Sequence, residues 1–346
     1  MELKNRINAF VQLGKVLQNF VIENTWKDFS CGLTQEEYNK VNETIKKTFQ
    51  HNGWFSENNV RQSIEGIVYL LQEENIKKWI SEYKLKENEK TIAVIMAGNI
   101  PMVGFHDMLC VLISGNKLVA KLSSEDSILL PMVVSILKKI EPQFESKIKF
   151  VSRLEKFDAI IATGSDNSAR YFESYFAKYP HIIRKNRTSI AVISGEETEE
   201  ELELFAQDVF SYFGKGCRNV TKVFVPKGYD LDNLFKAFFP YKELVNNNKY
   251  ANNYDYNKAI YLMNQVELIE NGFLLLKEDS SIHSPLAVLN YEFYENKREV
   301  ENFIKENKEK IQCVVSQKEI PFGKAQKPEL WDYADGVDTM AFLVKI

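Results

Sequence analysis

Hydrophobic positions follow two different periods along the chain. From residue 1 to about residue 88, apolar side chains recur at three- and four-residue spacing, as at Ile7, Phe10 and Leu17, and this spacing predicts amphipathic helices. At Thr91–Met96 (TIAVIM) the pattern changes to a short apolar run rich in β-branched residues, which is typical of a buried strand. The sequence therefore predicts a helical N-terminal segment that leads into a sheet.

Beyond that point, predicted strands alternate with predicted helices. The strands are 91–96, 117–121, 148–151, 157–162, 189–194, 221–225 and 311–315, and the helices are about 102–114, 127–140, 167–179 and 197–213. This alternation indicates βαβ units and mostly parallel sheets, so the fold class is α/β. Right-handed crossovers would place the strand-to-helix loops at one sheet edge, where ligands bind in such folds. Residues 246–257, rich in Asn and Tyr, are predicted to be irregular.

Length, charge and cysteine usage narrow the class of protein. A chain of 346 residues favours two domains over one. The net charge of −4 argues against nucleic acid as the main partner. The apolar runs fall short of the roughly 20 residues that a membrane span needs, and no export signal is recognised at the N-terminus. Four scattered cysteines, without metal-binding spacing, favour a reducing cytoplasm and predict no metal site.

The segment Tyr212–Val220 (YFGKGCRNV) is the strongest local candidate for chemistry. Cys217 follows two glycines and is flanked by Lys215 and Arg218; neighbouring cations lower a thiol's pKa, and the thiolate is the reactive form. Glycines also let backbone N–H groups approach a reacting carbonyl. Local chemistry alone leaves a reactive thiol and a structural cysteine equally supported. Two other cysteines, Cys110 and Cys313, lie in apolar runs and are predicted to be core residues.

Two further loops carry weaker patterns. Asn99, in MAGNIP, follows the first strand and either donates to an oxyanion or caps the next helix. Gly164 and Ser165 precede a helix, whose N-terminus can bind phosphate. Neither GxGxxG nor a P-loop is present, and no GxSxG hydrolase motif is found. The scattered histidines (His51, His106, His181 and His283) are more simply explained as surface or core residues.

Four segments occur in an order that resembles a known family. They are AGNIPM (97–102), GNKLVAKLSSED (115–126), FGKGCRN (213–219) and FGKAQKPELWDYADGVDT (322–339). Over roughly residues 90–346 the chain resembles the LuxC-type acyl-CoA reductases, the fatty-acid reductase component of bacterial luminescence, within the aldehyde dehydrogenase superfamily. The resemblance implies an aldehyde dehydrogenase-like fold, with two domains built on Rossmann-type, mostly parallel sheets.

The resemblance also implies roles for particular residues. Cys217 would attack the thioester carbonyl, expel CoA and hold the acyl group, while Asn99 and the Cys217 N–H would form the oxyanion hole. Lys121 would hold the adenosine ribose of the cofactor, and Gly164 with Ser165 would lie against its pyrophosphate. Ser123 and Ser124 complete the cofactor-binding residues that the family motif implies.

Departures from the superfamily pattern bear on the type of reaction. The stretch His181–Ser189 (HIIRKNRTS) lacks the glutamate base that hydrolytic aldehyde dehydrogenases use, as expected of a CoA-dependent reductase. Its cations, Arg184, Lys185 and Arg187, either attract an anionic CoA or cofactor or form a solvated basic turn. In Ser281–Pro285 (SIHSP), Ser281 stands where members of the superfamily often have an acid that binds the nicotinamide ribose. Uncharged Ser124 favours NADPH, although the neighbouring Glu125 leaves NADH open.

The sequence thus predicts a cytoplasmic enzyme that reduces an acyl-CoA or acyl-protein thioester to an aldehyde with NADPH, with CoA as leaving group. Residues 1–190 would form a helical segment plus the cofactor domain, 191–320 the catalytic thiol domain, and 321–346 a segment returning to the site or the cofactor domain. A homo-oligomer or a partner acyl-transfer enzyme is compatible with the sequence. The alternatives are an oxidising aldehyde dehydrogenase and a catalytically silent binding or assembly subunit.

Overall fold

The chain forms two compact units. A computed structural model describes residues 1–22, 26, 32–85 and 89–346; Cys31 lies outside the described residues. The first unit comprises Met1–Lys185 and Glu329–Ile346, and the second comprises Asn186–Pro328. The sequence predicts boundaries at 190 and 320, whereas the units divide at 185 and 328. The cofactor and catalytic labels given to the two domains stay predictions.

Helices precede the first sheet, as the three- and four-residue spacing predicts. They are α1 (Leu3–Leu17), α2 (Gln35–His51), α3 (Glu57–Leu70) and α4 (Glu73–Ser81), with a 3₁₀ turn at Gln18–Phe20. Phe10, Leu13 and Leu17 are fully buried on one face of α1, so packing of that face stabilises the helix. Thr34 and Glu37 form a capping box that begins α2, each side chain accepting from the other residue's backbone N–H.

A five-stranded parallel sheet follows in the described part of the first unit. Its elements are β1 (Thr91–Ile95), α5 (Phe105–Ile113), β2 (Lys117–Lys121), α6 (Leu129–Ile140), β3 (Ile148–Phe150), β4 (Ala159–Thr163), α7 (Asp166–Phe176) and β5 (His181–Arg184), with a 3₁₀ turn at Pro142–Ser146. The strand order is β3-β2-β1-β4-β5, and every pair is parallel. Four of these strands match predicted ones, and β5 was not predicted.

The second unit is built on its own mostly parallel sheet. Its elements are β6 (Thr188–Val192), α8 (Glu199–Phe210), β7 (Val220–Pro226), α9 (Asp232–Phe238), α10 (Asn248–Met263), β8 (Ile269–Glu270), β9 (Leu275–Glu278), β10 (Val288–Tyr294), α11 (Lys297–Glu306) and β11 (Ile311–Val315), with 3₁₀ turns at Ser211–Gly214 and Phe239–Asn246. The order is β11-β6-β7-β10-β9-β8, and β8 alone pairs antiparallel among the described strands. The predicted α/β class is confirmed.

The prediction of an irregular segment at 246–257 is wrong. Helix α10 begins there, because the Asn247 side chain caps it by accepting from the N–H groups of Lys249 and Tyr250. Tyr250, Tyr254 and Asn257 are buried on one face of this helix. The amphipathic spacing exists, but tyrosine and asparagine carry it in place of the aliphatic residues that usually reveal it.

The C-terminal segment belongs to the first unit. Helix α12 (Thr339–Lys345) buries Met340 and Leu343. The hydroxyl of Tyr333 accepts from Trp79 Nε1 at 2.7 Å and lies 2.8 Å from the hydroxyl of Tyr83. Part of the fourth family motif therefore anchors this segment on α4. None of the helices in the described residues is long and apolar enough to cross a membrane.

Candidate functional site

The carboxyl edge of the first sheet collects Asn99, which was predicted to be catalytic, and the residues predicted to bind a cofactor. Asn99 follows β1, Lys121 ends β2, and Gly164 follows β4. Because β1 lies between β2 and β4, the loops after these strands are neighbours. Strands β2 and β3 lie on one side of β1, and β4 and β5 lie on the other. Open α/β sheets bind nucleotides at such a switch in strand order.

Gly98 allows the loop that carries Asn99 to pack against the turn after β2. A Cβ atom on Gly98 would lie 2.6 Å from both Cβ and Oγ of Ser123, so a larger residue would force the two loops apart. Asp126 links the turn after β2 to the loop after β1, because its Oδ2 accepts from the Met102 N–H at 2.6 Å. Burial raises the pKa of Asp126 to about 6. The structure therefore brings Asn99 and Ser123 into adjoining loops, with Lys121 and Ser124 exposed nearby.

Ser165 begins helix α7. Its Oγ accepts from the Ser168 N–H at 3.3 Å, and the side chain lies exposed at the sheet edge. A Cβ atom on Gly164 would lie 2.8 Å from the Cβ of Ser168, so the strand approaches the helix closely. A capped helix start beside a glycine suits a phosphate-bearing ligand, and the residues present are compatible with a dinucleotide.

Cys217 lies in the second unit, in a loop with unusual backbone geometry between α8 and β7. Tyr212, Phe213 and Gly214 adopt left-handed conformations in succession, with φ of 53°, 58° and 78°. Non-glycine residues rarely adopt this conformation, and such strain concentrates at functional sites. Cys217 itself is half-buried, and its carbonyl accepts from the Ser189 hydroxyl at 3.0 Å. The loop therefore presents the thiol from a fixed backbone.

Asn219 holds this loop in place from within. Its Nδ2 donates to the carbonyls of Asp208 (3.2 Å), Val209 (3.2 Å) and Ser211 (2.9 Å). Its Oδ1 accepts from the Gly216 N–H at 2.7 Å. The side chain is fully buried, so one residue satisfies the carbonyls at the end of α8 and fixes the residue before Cys217.

The other described thiols have a different environment. Cys110 and Cys313 are buried, as the sequence predicts, and burial raises the pKa of Cys110 well above its usual range. Cys313 Sγ lies 3.0 Å from the Ser189 hydroxyl. His106 is also structural: burial lowers its pKa, and its ring packs against Trp79 and Tyr333. Among the described cysteines, Cys217 is the most exposed.

A cavity of about 270 Å³ adjoins the Cys217 loop within the second unit. Phe213, Gly214 and Lys215 form one wall, and Tyr250 of α10 contributes another. The remaining lining residues are mostly apolar: Val209, Phe210, Val220, Thr221, Leu274, Ser284, Pro285, Leu286, Ala287 and Val288. Polar atoms are exposed beside these apolar side chains, so the cavity suits a ligand group of mixed polar and apolar character.

Both interpretations of Arg184 from the sequence are wrong. The side chain is neither solvated nor available to an anionic ligand, because it is buried and paired with Asp107. It also donates to the Thr339 hydroxyl at 2.9 Å. Lys185 pairs instead with Glu173 at 2.9 Å, and Arg187 donates to the Ile311 carbonyl. The three cations of His181–Ser189 therefore make separate structural contacts.

The fold is that of the aldehyde dehydrogenases. Aldehyde dehydrogenase 21 from Physcomitrella patens, solved with the product succinate, aligns with a TM-score of 0.64 at 12% identity, over 92% of this chain and 74% of that chain. An aldehyde dehydrogenase from Bacillus cereus, solved with NAD⁺, gives 0.61 at 12% identity over 91% and 72%. One from Mycobacterium tuberculosis, also with NAD⁺, gives 0.60 at 12% identity over 88% and 71%. At such low identity, these similarities show a shared fold and nothing about activity or substrate.

The family is identified by sequence. The family described as Acyl-CoA reductase (LuxC) matches residues 33–237, which is more than half of the chain. The chain therefore belongs to the LuxC acyl-CoA reductase family and is an oxidoreductase of acyl and aldehyde chemistry. A search of curated proteins gave no match. The recognition made from the four ordered segments is confirmed.

Sequence reasoning missed residues that act by holding the Cys217 loop. Asn219 lies inside the quoted segment FGKGCRN, yet its four hydrogen bonds reach back as far as Asp208. Asp208, on the acidic helix α8, accepts from the N–H groups of Gly323 and Ala325. Its burial raises its pKa to about 6. The sequence contained one indication of this structural role: Asp208 lies on the same face of α8 as its buried apolar residues.

Proposed function

We propose that the protein reduces an acyl-CoA thioester to an aldehyde through an acyl-enzyme on Cys217, with NADPH as reductant. The observation that carries the proposal is the loop from Tyr212 to Asn219, which holds a half-buried thiol on a strained, hydrogen-bonded backbone. Membership of the acyl-CoA reductase family supplies the substrate class.

In the first step Cys217 Sγ adds to the carbonyl carbon of the thioester. A bond to Sγ forms, the carbonyl electrons move to oxygen, and on their return the bond to the CoA sulfur breaks, so CoA leaves as a thiolate. The backbone N–H of Cys217 is the donor proposed within the second unit, and the family resemblance implies the amide of Asn99 as another. The cavity beside Phe213 exposes apolar side chains together with polar groups, which supports a thioester with its acyl chain as the occupant.

The carboxyl edge of the first sheet would hold the cofactor. Lys121, Ser123 and Ser124 would lie at its adenosine ribose, and Gly164 and Ser165 at its pyrophosphate. When bound there, a reduced nicotinamide would supply a hydride to the acyl carbon. Cys217 would then hold the hemithioacetal as its oxyanion, and return of the oxygen electrons to the carbon would expel the Cys217 thiolate and release the aldehyde. Uncharged Ser124 supports NADPH over NADH, because it leaves room for a 2′-phosphate.

The test combines turnover with thiol reactivity. NADPH oxidation is followed with acyl-CoAs of graded chain length, for the native protein, Cys217→Ala and the control Cys110→Ala. We expect aldehyde and free CoA in equal amounts, loss of turnover in Cys217→Ala, and its retention in the control. Turnover that survives in Cys217→Ala contradicts the covalent mechanism.

Labelling with iodoacetamide, read by peptide mass spectrometry, separates the alternatives. Cys217 should react faster than Cys110 or Cys313, which are buried. A Cys217 that reacts no faster than these two, together with no turnover of any acyl-CoA, would favour the silent-subunit alternative. Oxidation of aldehydes by NAD⁺ or NADP⁺ without a requirement for CoA would favour the oxidising dehydrogenase.

A further inference from the structure

The segment Phe322–Gln326 is fixed against the Cys217 loop from two sides. Asp208 accepts from the Gly323 N–H at 2.6 Å through Oδ2 and from the Ala325 N–H at 2.9 Å through Oδ1. Arg218, the residue after Cys217, donates through Nε to the Ala325 carbonyl at 2.5 Å. Because one carboxylate and one guanidinium hold Ala325, the next residue, Gln326, has a defined position.

Gln326 lies beside the residue that precedes Cys217. A Cβ atom built on Gly216 would lie 3.7 Å from both Nε2 and Oε1 of the Gln326 side chain. Gly216 and Arg218, the two neighbours of Cys217 in the chain, therefore both face this segment. All of these residues belong to the second unit.

The amide nitrogen of Gln326 has no hydrogen-bond partner among the described residues, although it is buried. Buried amide groups are nearly always paired, so an exception beside Gly216, the residue that precedes Cys217, calls for an explanation. A donor that is kept dry and unpaired in the ground state is suited to a charge that develops only during reaction.

We propose that Gln326 is a catalytic residue that donates a hydrogen bond to the carbonyl oxygen of the acyl group as Cys217 adds to it. The inference rests on the proposed acyl-enzyme and deepens it. As the Sγ–carbon bond forms, the carbonyl π electrons move to oxygen, and the Gln326 N–H stabilises that oxygen without giving up its proton. The oxyanion then collapses, the carbon–sulfur bond to CoA breaks, and CoA leaves as a thiolate.

The test compares two reactions of the same thiol. Acylation is measured in a single turnover as CoA release at saturating acyl-CoA, and alkylation as the rate of iodoacetamide labelling at Cys217. Only acylation develops an oxyanion at a carbonyl. In Gln326→Leu, which keeps the bulk and removes the donor, we expect acylation to slow about 100-fold and alkylation to keep the native rate.

Gln317→Leu is the matched control, because Gln317 is exposed in the same part of the chain, and it should leave both rates unchanged. Equal slowing of acylation and alkylation in Gln326→Leu would show a merely structural role and overturn the inference. Native acylation in Gln326→Leu, with none in Cys217→Ala, would also overturn it while leaving the proposed function intact. CoA release at the native rate in Cys217→Ala would instead defeat the proposed function.

Discussion

The guanidinium of Arg184 donates to the carboxylate of Asp107 at 2.5 Å, and both side chains are buried in the first unit. The pair joins β5 to α5, and the contact from Arg184 to Thr339 extends it to the start of α12. Oδ1 of Asp107 and Nε of Arg184 have no further partner among the described residues. The ion pair and the hydrogen bond to Thr339 therefore have to offset the loss of hydration of both charged groups.

Removing Arg184 should strongly destabilise the first unit. Arg184→Ala leaves the Asp107 carboxylate buried without its cation, and we expect the free energy of unfolding to fall by about 3–5 kcal/mol. Lys185→Ala removes an exposed ion pair with Glu173 and should cost about 1 kcal/mol or less. Urea unfolding measures both variants. Equal losses in the two variants would contradict the distinction between the buried and the exposed ion pair. The double variant Arg184→Met with Asp107→Leu, which removes both charges, should recover most of the loss.

Removing the Asn219 side chain should release the Cys217 loop. Asn219→Ala leaves three carbonyls and the Gly216 N–H without their partner, and we expect a loss of roughly 3 kcal/mol in unfolding free energy. Acyl-CoA turnover should fall further than the folded fraction does, because the loop backbone is no longer fixed. Asn246→Ala, at an exposed position, is the control. A variant with native stability and native turnover would contradict this role.

The free energy of unfolding should decrease as pH rises through the range in which two buried carboxyls, Asp126 and Asp208, titrate. Burial raises the pKa of Asp126 and of Asp208 to about 6, above the ordinary value of about 4. Their protonated forms are therefore favoured in the folded state, and that stabilisation is present at low pH and lost between about pH 4 and pH 6. Each group should contribute roughly 3 kcal/mol to the change.

Asp126→Asn isolates this effect, because it keeps an oxygen for the Met102 N–H and does not titrate. Relative to the native protein, the variant should gain unfolding free energy as pH rises from about 4 to about 7. Urea unfolding at several pH values measures the difference. A difference that stays constant over this range would count against the raised pKa of Asp126.

A carboxylate at position 124 should alter the choice of cofactor. In Ser124→Asp the added charge would repel a 2′-phosphate and pair with ribose hydroxyls, so the ratio of kcat/KM for NADPH to that for NADH should fall about tenfold or more. Ser135→Asp adds the same charge at an exposed position on α6 and should leave the ratio unchanged. An unchanged ratio in Ser124→Asp would remove Ser124 from the adenosine site.

Buried aliphatic strands were the most predictable part of the fold. KLVAK at 117–121 and IQCVV at 311–315 form strands with the predicted bounds, because short apolar segments between turns are typical of strands in an α/β fold. Helix α10 was missed because its buried face is made of Tyr250, Tyr254 and Asn257. Propensity and periodicity weigh such residues too lightly to reveal a helix.

The environment of Arg184 could not be predicted, since burial of a charge depends on partners that are remote in sequence. Asp107 and Thr339 are 77 and 155 residues away from it. For the same reason the sequence indicated Cys217 but not its surroundings. Its neighbour Arg218 contacts a carbonyl 107 residues further along, and only the fold brings that segment to the loop.

The return of Glu329–Ile346 to the first unit also sets an order of events on the ribosome. Residues 186–328 emerge before the last segment of the first unit has been made, so the second unit can fold while the first still lacks α12 and the Tyr333 anchor. Domains usually fold in the order in which they are synthesised. Here residues 1–185 cannot complete the core of the first unit until Glu329–Ile346 have been translated. The surface that Leu330 and Met340 cover in the finished protein stays exposed until then.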